Sequence, residues 1–457
     1  MSSSANARPG IDLAGLLDQE REPDSLVAWR SDGKGGDRAA TWAGFRGAVA
    51  ALRDEIAVLP PGPLALATQD AFAFGVGLFA CWHAGRVAIC PPNTQPGAME
   101  ALADLVIGTV SDADFAVPGR PVLATEAEGG DPKPPSTPFG TLAMDAPAIE
   151  LFTSGTTGRG KAIPKRLEHL ASEVAALDAE LAREVGGAPT IGSGSHQHLY
   201  GMLFRVLWPL ASARPFDARV HLHAEELLPR LSAHGPCAFA SVPAHLKRLA
   251  EREGLDRLGA HCRVVFSSGG PLEAETARRW ELATGSAPLE LFGSTETGGV
   301  AWRRQGTGPD ATLAWTPLEA VRVVRDEPDG RLRVQSSFVS LGEAGEGFAM
   351  GDRIEWENAE GGRFLTLGRG DRVLKVGEKR LSLPEMEERL VEHAFVETAA
   401  LLPLEQAGEQ RVAAVAVLNA AGRAALEERG RRELTTDLTN ALAEAWERVL
   451  LPRAWRF

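Results

Sequence analysis

The chain has 457 residues, 44% of them hydrophobic and 24% charged, enough for about two to four folded domains with cores of their own. Its formal net charge of -13 repels polyanions and argues against a nucleic-acid groove. Cys81, Cys90, Cys237 and Cys262 lack CxxC or His/Cys spacing, which excludes a zinc site or a disulfide framework on pattern and predicts reduced core residues.

The opening MSSSANARPG has no basic stretch followed by an apolar one, so no signal peptide is expected. Ser31 to Arg38 reads as a polar, glycine-rich tail, followed by an amphipathic helix from about Thr41 to Ile56 that Pro60, Pro61 and Pro63 end. PLALAT (63 to 68), an apolar helix across 71 to 84 and RVAIC (86 to 90) alternate in the manner of a parallel βαβ sheet. The apolar run Ala71 to Trp82 falls short of the roughly 20 residues a bilayer requires. A cytoplasmic protein with no stable membrane insertion is therefore expected. The proline-rich, charged run Glu126 to Pro138 reads as an exposed connector and marks an expected subdomain boundary.

From Ala148 to Gly293 the alternation resumes, with a helix at 166 to 183, strands near 189 to 192, 237 to 241 and 263 to 267, and helices at 243 to 252 and 272 to 283. Beyond about residue 310, period-2 segments around Pro328-Asp329-Gly330 and Gly361-Gly362 predict antiparallel hairpins. A helix at 384 to 393, the strand RVAAVAV (411 to 417) and a last helix near 431 to 449 then make a small α+β lobe. Leu434, Leu438, Leu442, Ala445 and Val449 form one apolar stripe on that last helix. The predicted fold class is α/β: a large N-terminal domain over 1 to 367 of two α/β subdomains and a β unit (about 310 to 367), a hinge at 368 to 371, and a small mobile lobe over 372 to 457.

The stretch LFTSGTTGRGKAIPK (151 to 165) carries the most chemistry. It leaves an apolar strand and turns abruptly into glycines, hydroxyls and lysine. Gly155, Gly158 and Gly160 let backbone N-H groups turn toward an anion, Thr153, Ser154, Thr156 and Thr157 add hydroxyl donors, and Lys161 and Lys165 supply positive charge. This is the composition of a phosphate-binding loop. A surface turn is one alternative. A P-loop is another, because Gly155 to Lys161 fits its spacing, but Ala162 stands where a Mg²⁺-binding hydroxyl belongs.

Three stretches follow in order: LFGSTETGG (291 to 299), AMGDR (349 to 353) and GRGDRVLKVGEKRLSLPEME (368 to 387). With TSGTTGRGKA they resemble the ordered motifs of the adenylate-forming superfamily of acyl- and aryl-CoA synthetases, adenylation domains and luciferases. The resemblance implies that Thr153, Ser154, Gly155, Thr156, Thr157, Gly158 and Lys161 clasp the β- and γ-phosphates of ATP. It further implies that Glu296 holds Mg²⁺, Thr295 contacts the α-phosphate, Asp352 accepts from the ribose hydroxyls and Arg369 reaches the nucleotide. Gly269 and Gly270 would lie against adenine and acyl group, His198 beside the substrate carboxylate, and Asp371 at the hinge. Tyr200, the chain's sole tyrosine, either lines an aryl pocket or packs. Small or apolar pocket candidates, Ser241, Val242, Phe292 and Gly293, offer no carboxylate to an amino acid's ammonium group.

Two features depart from the superfamily pattern. Gly160 stands where proline commonly precedes the lysine, and no lysine follows Lys379, so the terminal lysine motif is missing and slow adenylation is expected. The run GEKRLSLPEME and the short N-terminal subdomain look similar to the AMP-ligases of aryl-polyene and xanthomonadin pigment biosynthesis. That resemblance implies an aryl, hydroxybenzoate-like acid activated with ATP and Mg²⁺, then passed to the phosphopantetheine thiol of an acyl carrier protein or CoA. Arg429, Arg431 and Arg432 are candidates for docking an acidic carrier. A non-catalytic adenylate-binding module is the alternative outside enzyme chemistry.

Overall fold

The computed structural model describes residues 11–34, 36–125, 138–152, 161–308, 311–340, 346–358, 362–369, 373–376, 379–406 and 409–457. Packing divides the chain into two units, Met1–Leu151 with Ile163–Val323 and Val334–Phe348, and Phe152–Ala162 with Val324–Arg333 and Ala349–Phe457.

Two sheets organise the first unit. The larger has nine strands, in the order Thr316–Pro317, Gly298–Arg304, Leu289–Ser294, Cys262–Ser267, Cys237–Ser241, Thr190–Gly192, Phe216–Val220, Leu26–Ser31 and Asp37–Thr41. From Leu289–Ser294 to Leu26–Ser31 every neighbour is parallel, while antiparallel pairs close both ends. The smaller sheet runs Val122–Ala124, Gly108–Ser111, Leu64–Leu66, Ala88–Cys90, Pro147–Phe152 and Ala162–Arg166. Central strands such as Leu64–Leu66 and Cys237–Ser241 are buried at every residue. Such burial is why they read as continuous apolar runs.

Helix Ala71–His83 is apolar all round and buried at every position except His83. Asp70 caps it, its carboxylate accepting the Ala73 N-H at 2.9 Å. A Cβ added at Gly77 would meet Leu66 Cδ1 at 2.6 Å, so glycine is what lets this helix lie on the sheet. The helix fills a core; none of the described helices is long and apolar enough to cross a membrane.

Several expectations shift. Ser31 to Arg38 is the turn of a hairpin, Leu26–Ser31 against Asp37–Thr41. Asp32 builds that turn, its Oδ1 accepting the N-H groups of Lys34 at 2.8 Å and Gly36 at 2.7 Å. Strands Gly108–Ser111, Val122–Ala124 and Phe216–Val220 add to the expected set, and they are short or interrupted by charge. The expected connector lies outside the described residues except for Pro138. The strands on either side of it, Val122–Ala124 and Pro147–Phe152, belong to one sheet.

A four-stranded sheet, Arg322–Asp326, Arg331–Gln335, Phe348–Trp356 and Phe364–Arg369, contains the expected hairpins. Within the second unit, Val373–Val376 pairs antiparallel with Lys379–Ser382, and Val396–Gln406, Glu409–Leu418 and Ala454–Arg456 form a three-stranded sheet. Helices Leu383–Val391 and Ala420–Ala443 contribute to the core there, with Leu434, Leu438 and Leu442 fully buried. Ala445 and Val449, the other members of the stripe, are only partly buried.

Asn419 caps the last helix, its Oδ1 accepting the Gly422 N-H at 3.0 Å while its Nδ2 donates to the Ala394 carbonyl at 2.8 Å. Asn419→Ala is expected to cost about 1 kcal/mol, the usual worth of such a cap. An unchanged midpoint of denaturant unfolding in this unit would contradict the assignment.

Candidate active site

Parallel strands carry ligand-facing loops at their carboxyl ends. Here Thr190–Gly192 leads into Ser193 to His198, Cys262–Ser267 into Ser268 to Gly270, and Leu289–Ser294 into Thr295 and Glu296. Gly192 pairs with Ala240, Ser241 with Ser267, and Ser267 with Glu290, so these loops leave one edge of the sheet. His198, Gly270, Thr295 and Glu296 are thereby carried to that edge. Gly269 has φ +89°, a left-handed conformation that suits glycine and turns the chain tightly there.

The turn after Leu289–Ser294 is held by its own hydroxyls. Thr297 Oγ1 accepts the Ser294 N-H at 3.1 Å, Ser294 Oγ accepts the Thr297 N-H at 3.2 Å, and Thr297 is fully buried. Thr295 and Glu296 between them are half-buried.

Lys165 departs from expectation. The alternation of strand Ala162–Arg166 turns Ile163 and Lys165 inward, and Lys165 is 1% exposed. Its Nζ donates to the carbonyl of Phe338 at 2.8 Å and to that of Glu296 at 3.3 Å. Burial lowers its pKa, against the opposing pull of the Glu173 and Glu296 carboxylates. Lys165 is therefore a structural donor, and of the two lysines Lys161 is the exposed one.

The neighbouring histidines separate. His196 is 2% exposed, with Nε2 3.1 Å from both Oγ1 and the carbonyl of Thr68, and burial, with help from the Arg205 charge, pushes its pKa down to about 3. It is a neutral core residue. His198 is exposed and precedes the short helix Leu199–Met202. Arg205 lies on a π-helical turn, Leu203–Leu207, and is buried. Its guanidinium donates to the Gly194 carbonyl at 2.7 Å and to the Arg219 carbonyl at 2.7 Å, tying the loop that carries His198 to the neighbouring strand. No motif pointed to Arg205. The Tyr200 ring lies 4.8 Å from that of Phe204.

In the second unit, Asp352 is half-buried on strand Phe348–Trp356 and opposite Arg369 in register. Thr153, Ser154, Gly155, Thr156, Thr157 and Gly158 lie outside the described residues, as does Asp371. Two of the three arginines expected to dock a carrier are committed within the lobe. Arg429 donates to Asp437 at 2.6 Å, and Arg431 donates to the Trp455 carbonyl. All four cysteines are free and buried, and burial raises the Cys81 thiol to about 12.

The first unit also holds an open cavity of about 1250 Å³ that no motif signalled, bordered by Thr68, Asp70, Asp112, Ser195, His196 and Arg230 among others. Four arginines and four carboxylates share its lining, so formal charge cancels there.

The protein-family model described as AMP-binding enzyme matches residues 50–343. The 4-hydroxybenzoate-CoA/benzoate-CoA ligase of Rhodopseudomonas palustris is 26% identical over 353 residues, covering 70% of this chain and 63% of that protein. The 4-coumarate-CoA ligase of Cereibacter sphaeroides is 28% identical over 265 residues, covering 55% of this chain and 56% of its own. This chain thus spans less than two thirds of the length of either relative. A solved malonyl-CoA ligase, in a ternary product complex with methylmalonyl-CoA and AMP, superposes with a TM-score of 0.77 at 20% identity over 98% of both chains. At that identity the likeness establishes the fold, a mixed α/β architecture with a large N-terminal domain and a smaller C-terminal lobe. The family match covers well over half of the sequence and includes the stretch 151 to 165, His198, Gly270 and Glu296; the chain belongs to the AMP-binding enzyme family.

Proposed function

We propose that this protein activates a carboxylic acid with ATP and passes the acyl group to a thiol. The observation that carries the reading is the convergence of His198, Gly270, Thr295 and Glu296 on one carboxyl edge of the parallel sheet. Family membership and the acid-CoA ligases among the relatives support it. In the first step a carboxylate oxygen attacks the α-phosphorus of ATP and the bond to the pyrophosphate oxygen breaks, leaving acyl-AMP. In the second, thiol sulfur attacks the acyl carbon, AMP departs and the thiol proton leaves to solvent.

Both partners in the first step are anions, so the site must lower their repulsion and align them. Lys161 and the hydroxyls and N-H groups of 153 to 158 take the phosphates, Thr295 the α-phosphate, Asp352 the ribose and Arg369 the nucleotide. His198 stands beside the acid. Among the described residues no three His, Cys, Asp or Glu side chains gather as a metal cage. Mg²⁺ would be held through the half-buried carboxylate of Glu296, a hard oxygen donor of the kind that ion takes. When bound there the ion neutralises phosphate charge. Residues 368 to 371, including Asp371, act as the hinge between the two steps, a reading supported by the Gly-Arg-Gly-Asp sequence.

For the acid we favour an aryl, hydroxybenzoate-like compound. Val242, Phe292 and Gly293 are apolar or small, and the relative from Rhodopseudomonas palustris is a hydroxybenzoate and benzoate ligase. Loading of an acyl carrier protein, as in pigment biosynthesis, rests on the resemblance of GEKRLSLPEME. Arg429, Arg431 and Arg432 are exposed and are the candidates for docking the carrier, two of them also bonding within the lobe.

The test is pyrophosphate release from MgATP with a panel of aryl, fatty and amino acids, followed by acyl transfer to CoA or to a phosphopantetheinylated carrier protein. Release with aryl acids is expected. Release only with fatty or amino acids would overturn the aryl assignment, and release with none would overturn the activity.

A further inference from the structure

The sequence marks Glu296 but gives no reason for its position; the structure supplies one from beneath. Two buried, oppositely charged side chains from outside the motif hold the backbone of its turn at both ends. Lys165 Nζ donates to the Glu296 carbonyl at 3.3 Å, and Glu173 Oε1 accepts the Gly299 N-H at 2.6 Å. Lys165 and Glu173 are each 1% exposed. The second donation of Lys165, to the Phe338 carbonyl at 2.8 Å, fixes the amine from a third segment.

Between the two anchors the chain passes through Gly298, at φ +69°. A Cβ there would come within 2.7 Å of both Glu173 carboxylate oxygens, so the turn lies directly on the acid. Glu173 Oε2 has no hydrogen-bond partner among the described residues. A buried carboxylate so incompletely satisfied is costly. The buried Lys165 ammonium offsets its charge, so the acid and the lysine act as one unit and neither is replaced alone without cost.

We infer that Lys165 and Glu173 are positioning residues that clasp the turn from Glu296 to Gly299 and thereby set where the Glu296 carboxylate meets the metal-phosphate group. The inference rests on the adenylating reading proposed above. It separates two lysines that look equivalent in sequence, Lys161 for the phosphates and Lys165 for the protein's own carbonyls. Outer contacts of this kind change metal affinity or activity by about 10- to 100-fold when removed.

The test uses the full chain in three arms. In the wild-type protein the Gly299 amide is expected to exchange slowly with solvent deuterium; rapid exchange would show that the clasp does not hold and would overturn the inference without any variant. Lys165→Met alone strands a buried carboxylate and can fail to fold, so the decisive variant is Lys165→Met with Glu173→Met, which removes both charges at similar volume. That double variant is expected to fold, to exchange the Gly299 amide at least about 10-fold faster and to lower kcat by about 10- to 100-fold. It is also expected to need more Mg²⁺ for half-maximal rate, with the KM for the acid unchanged. A folded double variant with wild-type kcat and Mg²⁺ requirement would overturn the inference. Wild-type protein that protects Gly299 yet releases no pyrophosphate with any acid would refute the adenylating reading and leave the clasp standing.

Discussion

Glu296→Ala is expected to reduce acid-dependent pyrophosphate formation by about 10²- to 10³-fold, the scale on which loss of one preorganised electrostatic partner of a transition state is felt. In free energy that is roughly 3 to 4 kcal/mol of the barrier. The carboxylate lies at the end of a parallel strand, half-buried, on a turn whose backbone Thr297, Ser294, Lys165 and Glu173 constrain. Circular dichroism and the unfolding midpoint of the variant separate loss of chemistry from any loss of stability through the buried Lys165 charge, which the Glu296 carboxylate helps to hold. ATP binding without Mg²⁺ should change little, because the nucleotide contacts assigned to Asp352, Arg369 and residues 153 to 158 remain. Wild-type rates of pyrophosphate release from a folded Glu296→Ala protein would remove Glu296 from the chemistry and leave only its position at the sheet edge.

The largest stability effect is expected at Asp217, which no motif marks. It sits on strand Phe216–Val220 with its side chain fully buried, accepting from Arg230 Nε at 2.6 Å and Arg219 Nε at 3.2 Å, with His221 Nε2 3.1 Å away. Both arginines also reach Asp37. Burial by itself would raise the Asp217 pKa, but the His221 contact and the two guanidinium groups outweigh it and hold the carboxyl well below its usual range. Asp217→Asn is expected to lower the unfolding free energy at pH 7 by about 3 kcal/mol, because it leaves two partly buried cations short of a partner.

The sign of the pH dependence follows from the direction of that shift. The folded carboxyl binds its proton less readily than the unfolded one, so the stabilisation is complete above the unfolded value of 3.8 and is lost as pH falls toward the folded value. The difference between wild type and Asp217→Asn in urea unfolding should therefore be constant from pH 7 down to about 4 and shrink below it. A difference that grows on acidification would show that Asp217 is not the group responsible.

Much of the architecture was legible because local pattern and final burial agree. The period-2 runs after residue 310 became hairpins, the amphipathic stretch after Thr41 became helix Trp42–Ala57 with Thr41 as its cap, and the stripe of Leu434, Leu438 and Leu442 became fully buried. Strand Gly108–Ser111 escaped notice because four residues with a glycine, a threonine and a serine carry little apolar signal, though all four are buried. The turn at Ser31 to Arg38 is ambiguous in sequence because Asp32 and glycine suit a tight turn and a loose end alike.

For the candidate site, the sequence by itself determined the order and composition of the loops: a run of glycines and hydroxyls after one strand, and a carboxylate after another. It could not say which of two lysines four positions apart would face solvent, nor which of two histidines two positions apart would be buried. Only the tertiary structure decided those. Lys165 is drawn inward by carbonyls of residues 131 and 173 positions away, and His196 by Thr68, 128 positions away. Arg205 owes its role to carbonyls of a loop and a neighbouring strand, and Asp217 to Arg230 on helix Ala224–His234. The physical reason is that a polar side chain enters the interior only where distant backbone and charge satisfy it, and those partners are chosen by strand order, which local pattern does not carry.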